Sequence, residues 1–127
     1  MNATKDELKS CILRNKTSLA LIDTRSPEQM MIQSKIENAV NIPNIPQAMA
    51  MAPADFKLKY GVEYPKEGDV ICLHCNVGGG SSRALDNLIR NHTDLAKQFI
   101  WRNVAGGVRQ WNEEKVQDDS KKIKIDL

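Results

Sequence analysis

Short apolar runs, separated by polar and turn-forming segments, recur along this chain. Four of them are typical of strands: LALID from Leu19, AVNIP from Ala39, DVICLHC from Asp69 and QFIWRN from Gln98. Runs of this length with a mostly apolar interior are typical of strands that are buried on both faces. The pattern therefore predicts a sheet with cover on each side.

Helical spacing precedes and follows the first of these runs. Residues 5–14 place apolar side chains at helical intervals, and Thr4 stands three positions before Glu7, the spacing of a capping box. Ser26 and Gln29 repeat that spacing directly after the first strand. We expect one helix before this strand and a short one leaving almost directly from it.

Three further helical segments are predicted. Residues 48–60 form one that Pro53 breaks or restarts, and the segment SSRALDNLIRNH forms an amphipathic helix with Ser81 or Ser82 as its N-cap. A last helical turn or two surrounds Trp111. Strands alternating with helices through short links predict an α/β domain, with a central parallel sheet of about five short strands and helices on both faces.

The composition is that of one soluble globular domain. The chain has 127 residues, of which 41% are hydrophobic and 27% charged, and a domain of this size buries roughly two thirds of its unfolded surface. We expect a single domain over residues 1–114, followed by a polar tail over residues 115–127.

Charge and targeting signals exclude several classes of partner. Eighteen basic and sixteen acidic residues are interleaved and leave a net charge of +2, so no basic stripe for nucleic acid is present. No run approaches the roughly 20 apolar residues that span a bilayer. The N-terminal segment carries Asp6 and Glu7 and has no apolar core, so it does not match a secretory or transit peptide. The cysteines number three, an odd count that does not suit a disulfide scaffold. We expect a cytoplasmic protein with reduced thiols and no membrane contact.

The segment HCNVGGGSSRAL carries the candidate chemistry. Cys75 lies at the carboxyl end of the predicted strand, where open α/β sheets bind ligands. Loop amides and a helix N-terminus favour an anion, and such surroundings lower the pKa of a cysteine. We expect a thiolate that is open to solvent and held by the amides of the residues that follow it: Asn76, Val77, Gly78, Gly79, Gly80 and Ser81.

Other polar residues near this loop have weaker signals. Asp23 and Arg25 follow the first strand at the same rim and are expected to form a structural ion pair. Arg83, one turn into the helix, either faces solvent or contacts an anion. Cys72 and Cys75 form a C-x-x-C, but alternate faces of a strand separate them, so we expect Cys72 in the core and no metal.

Taken together, these segments resemble the rhodanese-like sulfurtransferase domains over residues 19–111. The family's opening motif is present as LIDTRSPEQM, its active-site pattern as CNVGGGS, and its closing Gly-Gly and tryptophan as GGVRQW. The middle motif is half present in SKIENAVNIP, where Lys35 replaces the usual histidine and Glu37 the usual proline.

The resemblance implies a reaction. Cys75 would take a sulfane sulfur from a donor such as thiosulfate or a persulfide, hold it as a persulfide against the loop amides, and pass it to a thiol or cyanide acceptor or to a protein. It implies no organic cofactor. Loops of this family often carry a cation, whereas Asn76, Val77, Gly79 and Gly80 are uncharged.

Two alternatives accompany this interpretation. One is a non-catalytic rhodanese-like module that recognises a protein partner or senses oxidants. The other follows from phosphatases of the same fold resemblance, which have an arginine six residues after the cysteine. This chain has Ser81 there, which makes phosphatase-like activity the weaker alternative. The sequence carries no signal for an oligomeric state.

Overall fold

A four-stranded parallel sheet forms the centre of the molecule. The computed structural model describes residues 2–30, 36–75 and 79–111. The strands are β1 (Leu21–Asp23), β2 (Val40–Asn41), β3 (Val70–His74) and β4 (Ile100–Asn103), in the order β2-β1-β3-β4. All neighbouring pairs are parallel. The predicted α/β class and parallel sheet are confirmed.

Helices connect the strands. They are α1 (Lys5–Arg14), α2 (Pro27–Met30), α3 (Ile45–Met49), α4 (Pro53–Tyr60), α5 (Gly79–Asn91) and α6 (Thr93–Gln98), and residues 107–111 are also helical. Both predicted capping boxes form: Glu7 N donates to Thr4 Oγ1 at 3.1 Å, and Gln29 N donates to Ser26 Oγ at 3.4 Å. The reciprocal side-chain contacts are present as well.

The sheet has one strand fewer than expected among the described residues. At the free edge of β4, Asn2 makes an isolated parallel bridge with Asn103, and Ala3 N donates to Asn103 O at 2.8 Å. The chain turns into α1 directly after this bridge because Thr4 is already the N-cap. A fifth strand is therefore reduced to a single bridge.

Three helix predictions need correction. Helix α3 begins at Ile45, before the predicted start, because the Asn44 side chain caps it by accepting from Gln47 N at 3.4 Å. Helix α6 was not predicted, and no residue of it is buried. Helix α5 already includes Gly79, so neither Ser81 nor Ser82 is its N-cap, and Ser81 is wholly buried inside the helix.

Each face of the sheet has its own apolar cluster. Ile71 and Leu73 of β3 point into a cluster with α3, α4 and α5, where Phe56 is wholly buried. Cys72 points the other way, into a cluster that α1 covers. Burying one large apolar side chain contributes about 1.5–3 kcal/mol. The predicted cover on both faces is thus confirmed, and it holds the strands in place below the site.

A polar residue ends every strand. Asp23, Asn41, His74 and Asn103 are the last residues of β1, β2, β3 and β4. The carboxyl ends of parallel strands share one edge, which is where such sheets bind ligands. The fold therefore collects these polar groups at the rim where Cys75 leaves β3.

Candidate active site

The backbone of Cys75 is fixed by the chain segment that follows β4. Val108 N donates to the Cys75 carbonyl oxygen at 2.8 Å. The turn that presents Val108 uses Gly106 and Gly107, whose φ angles of 81° and 60° lie in the left-handed region. Glycine adopts this region without strain. Gly106 and Gly107 thus allow the turn from which Val108 holds the backbone of Cys75.

A serine and an asparagine stand beside the sulfur. Ser81 Oγ lies 3.5 Å from Cys75 Sγ and 2.5 Å from Asn103 Oδ1. A hydroxyl has one hydrogen to donate and two lone pairs. Ser81 can therefore donate to Asn103 while accepting from the neutral thiol, or turn its hydrogen toward a thiolate. The three side chains form a short polar chain at the rim.

Asn103 was missed by the sequence analysis. It is 8% exposed, it ends β4, and its Cα is paired with that of Leu73 across the sheet. The available signal was its place as a polar residue closing an apolar strand beside the strand that leads to Cys75. Such a position needs the strand order to be known, and the order was not predicted.

Cys75 is less accessible than expected. We expected its sulfur to be open to solvent, but the residue is only 6% exposed. The first turn of α5 packs against it: a methyl group built on Gly80 would lie 3.5 Å from Cys75 Cβ and 3.7 Å from Cys75 Sγ. A methyl group at position 80 would be in ordinary van der Waals contact with the sulfur, so the helix backbone passes close to Cys75.

Arg83 places a cation near the start of α5. Its residue is exposed, yet the guanidinium turns back along the helix, as long helical side chains do. Methyl groups built on Gly79 and Gly80 would lie 3.7 Å from Nη1 and 3.8 Å from Nη2. Since the same point on Gly80 is 3.7 Å from Cys75 Sγ, the cation and the sulfur flank one glycine.

Asp23 and Arg25 form the expected ion pair. Arg25 Nε and Nη2 donate to Asp23 Oδ1 and Oδ2 at 2.9 and 2.8 Å, and Arg25 N also donates to Oδ1 at 3.1 Å. Both side chains are buried, so the guanidinium does not face solvent. Asn41 Nδ2 donates to the carbonyl oxygens of both residues. This pair orders the rim between β1 and β2.

The same rim is tied to β3. Thr24 N and Thr24 Oγ1 both donate to the carbonyl oxygen of His74, at 2.9 and 3.0 Å. His74 is wholly buried, and its side chain is therefore not placed as a solvent-accessible base. The residue before Cys75 is thus anchored from the β1 side, while Val108 anchors Cys75 itself.

Part of the predicted site lies outside the described residues. These site residues are Asn76, Val77 and Gly78. The predicted C-terminal tail also lies outside the described residues, because the description ends at residue 111. Within the described ranges, no group of three or more His, Cys, Asp or Glu residues is placed to hold a metal ion. No helix in those ranges has the length and apolar character needed to cross a bilayer.

One family model matches most of this chain. The model of the rhodanese-like domain matches residues 4–114. The chain belongs to the rhodanese-like domain family. The resemblance inferred from the motifs is thereby confirmed, as is the fold that it implied.

Several relatives of known name are similar to this rhodanese-like chain. A mouse thiosulfate sulfurtransferase/rhodanese-like domain-containing protein 3 is 32% identical over 118 residues, which cover 91% of this chain and 71% of the mouse protein. The human thiosulfate:glutathione sulfurtransferase is 32% identical over 114 residues, covering 85% and 90%. The solved structure of the human single-domain sulfurtransferase TSTD1 has a TM-score of 0.66 and 28% identity, and the match covers 88% of this chain and 95% of TSTD1.

Proposed function

We propose that this protein is a sulfurtransferase that carries sulfur as a persulfide on Cys75. In the first half-reaction the Cys75 thiolate attacks the outer sulfur of thiosulfate; a new S–S bond forms, the old one breaks, and sulfite leaves with its electron pair. In the second, an acceptor thiolate or cyanide attacks the outer persulfide sulfur and Cys75 leaves as a thiolate. Family membership and the named relatives support sulfurtransferase activity in general.

The observation that carries the proposal is the set of groups around the Cys75 sulfur. A hydroxyl lies 3.5 Å away, the first turn of a thirteen-residue helix packs against it, and a guanidinium reaches the same glycine. Thiolate attack on sulfur is fastest when the attacking thiol ionises near ambient pH. In this proposal the main-chain amides of residues 76–81 also hold the anionic sulfur, as sequence and resemblance led us to expect.

Arg83 gives an anionic donor a cationic contact that the loop itself lacks. Thiosulfate carries two negative charges, so a guanidinium near the nucleophile favours its approach. The names of the relatives support the same donor class, and one of them names glutathione, a thiol, as the second substrate. We therefore assign thiosulfate or a small persulfide as donor and a thiol or cyanide as acceptor, with a protein acceptor as a further option.

Asp23 and Arg25 have a structural role in this proposal. Their side chains form a buried bidentate pair, and breaking such a pair by removing one partner costs about 3–5 kcal/mol. The cytoplasmic location stays a prediction, and one relative from fission yeast, 31% identical over 99 residues, is named a mitochondrial protein.

A non-catalytic module is the second candidate. The 6% exposure of Cys75 favours it, because a reacting sulfur must meet its donor. Phosphatase-like activity has less support: position 81 supplies a buried hydroxyl where a phosphatase of this kind has an arginine that grips phosphate with two hydrogen bonds. One experiment separates the transferase from the binding module.

The test is the mass of the intact protein after incubation with thiosulfate. The reduced protein should gain about 32 Da, one sulfur atom, and lose it again on addition of cyanide or a thiol. Cys75→Ser should gain nothing, while Cys72→Ala should still load. A persulfide of low molecular weight serves as the second donor arm. Absence of the adduct with both donors would identify the protein as a binding module.

A further inference from the structure

A second pair of thiols lies away from the proposed site. Cys11 is on α1 and Cys72 is in the middle of β3, and their sulfur atoms are 3.5 Å apart. Both residues are buried, at 1% and 0% exposure, in the apolar cluster between α1 and the sheet. Neither sulfur has a part in the transfer reaction. A disulfide has an S–S length of about 2.0 Å, so a further approach of roughly 1.5 Å would join these two sulfur atoms.

The hydrogen bonds give the two sulfur atoms different characters. Cys72 donates its S–H to Cys11 Sγ, and Cys11 faces the carbonyl oxygen of Val70 at 3.7 Å. The hydrogen bond from Cys72 lowers the pKa of Cys11, with help from the nearby Arg14 guanidinium. The same bond, together with burial, raises the pKa of Cys72. Cys11 is therefore the more nucleophilic member of the pair.

We propose that Cys11 and Cys72 are a redox-active pair that hydrogen peroxide converts to an intramolecular disulfide joining α1 to β3. The Cys11 thiolate attacks one peroxide oxygen, the O–O bond breaks, and the products are a sulfenic acid and hydroxide. Cys72 sulfur then attacks Cys11 sulfur; the S–S bond forms, and the S–O bond breaks with loss of water as hydroxide takes up the thiol proton. Overall two thiols lose two electrons and two protons, and the peroxide becomes two waters.

The burial of both sulfur atoms determines which oxidants can reach them. Hydrogen peroxide is close in size to water, whereas a glutathione disulfide needs the attacked sulfur at a surface. We therefore expect the pair to react with peroxide and not with oxidised glutathione. Once formed, the bond closes a loop between positions 61 residues apart. A cross-link over such a separation restricts the unfolded chain, so the thermal unfolding midpoint should rise.

The test uses Cys75→Ser, because this variant retains only Cys11 and Cys72 of the three cysteines. After hydrogen peroxide treatment, the thiol count in denaturant should fall from two to zero. The intact mass should fall by about 2 Da, the mass of two hydrogens. Proteolysis without reductant should yield one cross-linked peptide pair that contains Cys11 and Cys72, and dithiothreitol should restore the thiols, the mass and the original unfolding midpoint.

Matched single-thiol proteins complete the experiment. In the Cys75→Ser background, Cys11→Ala should show neither the mass loss nor the rise in unfolding midpoint, and Cys72→Ala gives the same comparison if the first variant fails to fold. The proposal is overturned if both thiols still titrate after peroxide. It is equally overturned if the peptides that contain Cys11 and Cys72 carry oxygen on the sulfur instead of a cross-link, or if a non-reducing gel shows a cross-linked dimer instead of a monomer.

Discussion

Cys72 and Cys75 are three residues apart and both are buried, yet the groups around their sulfur atoms differ. Cys72 lies within β3, wholly buried among apolar side chains, and its sulfur donates a hydrogen bond to the Cys11 sulfur. Cys75 lies one residue beyond β3, where a hydroxyl, the start of α5 and a guanidinium converge. The thiols of Cys72 and Cys75 thus lie in two different chemical environments.

The difference shows that the position of a cysteine, within a strand or just beyond its carboxyl end, determines the chemistry of its thiol. Inside a strand, the side chain must share a face with the core, and burial disfavours a charge. At the carboxyl end, the neighbours are the ends of other strands and the beginnings of helices, which supply polar groups and partial charges. The predictions below alter one setting and leave the other intact.

The largest expected effect is a contrast between the two cysteines themselves. Cys75→Ser should lower sulfur transfer on the order of a thousandfold or more, because the nucleophile is removed. Cys72→Ala should keep transfer close to that of the unmodified protein and instead lose roughly 1–2 kcal/mol of unfolding free energy, since a buried group is deleted. Steady-state transfer assays and denaturant titrations measure the two effects. A Cys72→Ala protein that is stable but inactive would contradict this division of roles.

A smaller effect is expected from the polar chain beside Cys75. Ser81→Ala removes the hydroxyl at 3.5 Å from the sulfur, and Asn103→Ala removes the acceptor that orients it. Each should slow sulfur loading about tenfold, which corresponds to about 1.4 kcal/mol, the size of one buried hydrogen bond. Because they act through the same hydroxyl, the double variant should be no slower than either single one.

Asn87→Ala is the matched control for this pair. Asn87 is exposed on the outer side of α5, where it accepts a hydrogen bond from Asn91. Its loss removes an asparagine without touching the rim. Additive effects of Ser81→Ala and Asn103→Ala on the loading rate would show that the two residues act independently of each other.

Much of the fold follows from local pattern. Helix α1 begins and ends at the predicted residues because its capping box and its buried face, Leu8, Cys11 and Ile12, specify the same segment. The buried strands could be predicted because short apolar runs of that length are typical of strands that are covered on both faces. The sequence led us to expect about five strands, and the described residues form four, because the β4 edge has only the single bridge of Asn2 with Asn103.

Only part of the candidate site could be predicted by the same reasoning. Cys75 and the buried pair of Asp23 and Arg25 could be identified from their positions after strands. Asn103 could not, because its partner Ser81 is 22 residues away in sequence and was assigned to a helix cap. The low exposure of Cys75 also depends on how closely the first turn of α5 packs. Such contacts between distant segments have no periodic signal.

Arg83 offers a way to test whether charge distinguishes the two settings. Arg83→Ala should raise KM for thiosulfate by up to about fivefold, the range expected for a partly exposed charge contact of about 1 kcal/mol or less. Its effect should be smaller with a donor that carries less negative charge than thiosulfate. Arg90→Ala is the control: it removes the same charge from the same helix, where Arg90 Nη2 lies 3.7 Å from Asp86 Oδ2. Equal effects of both variants would mean that only net charge matters.

The smallest expected effect comes from adding a cation beside Cys75. Gly79 is exposed and helical, and among the described residues a methyl group built on it would meet only Arg83 Nη1, at an ordinary 3.7 Å. Gly79→Lys should therefore fold and should improve kcat/KM for thiosulfate about two- to threefold, since an exposed charge contact contributes below about 1 kcal/mol. Gly79→Gln has a similar side-chain length without the charge and should leave kcat/KM unchanged. If the lysine and glutamine variants behave alike, then donor charge does not limit the reaction at Cys75, and the cation at the rim is not what separates its chemistry from that of Cys72.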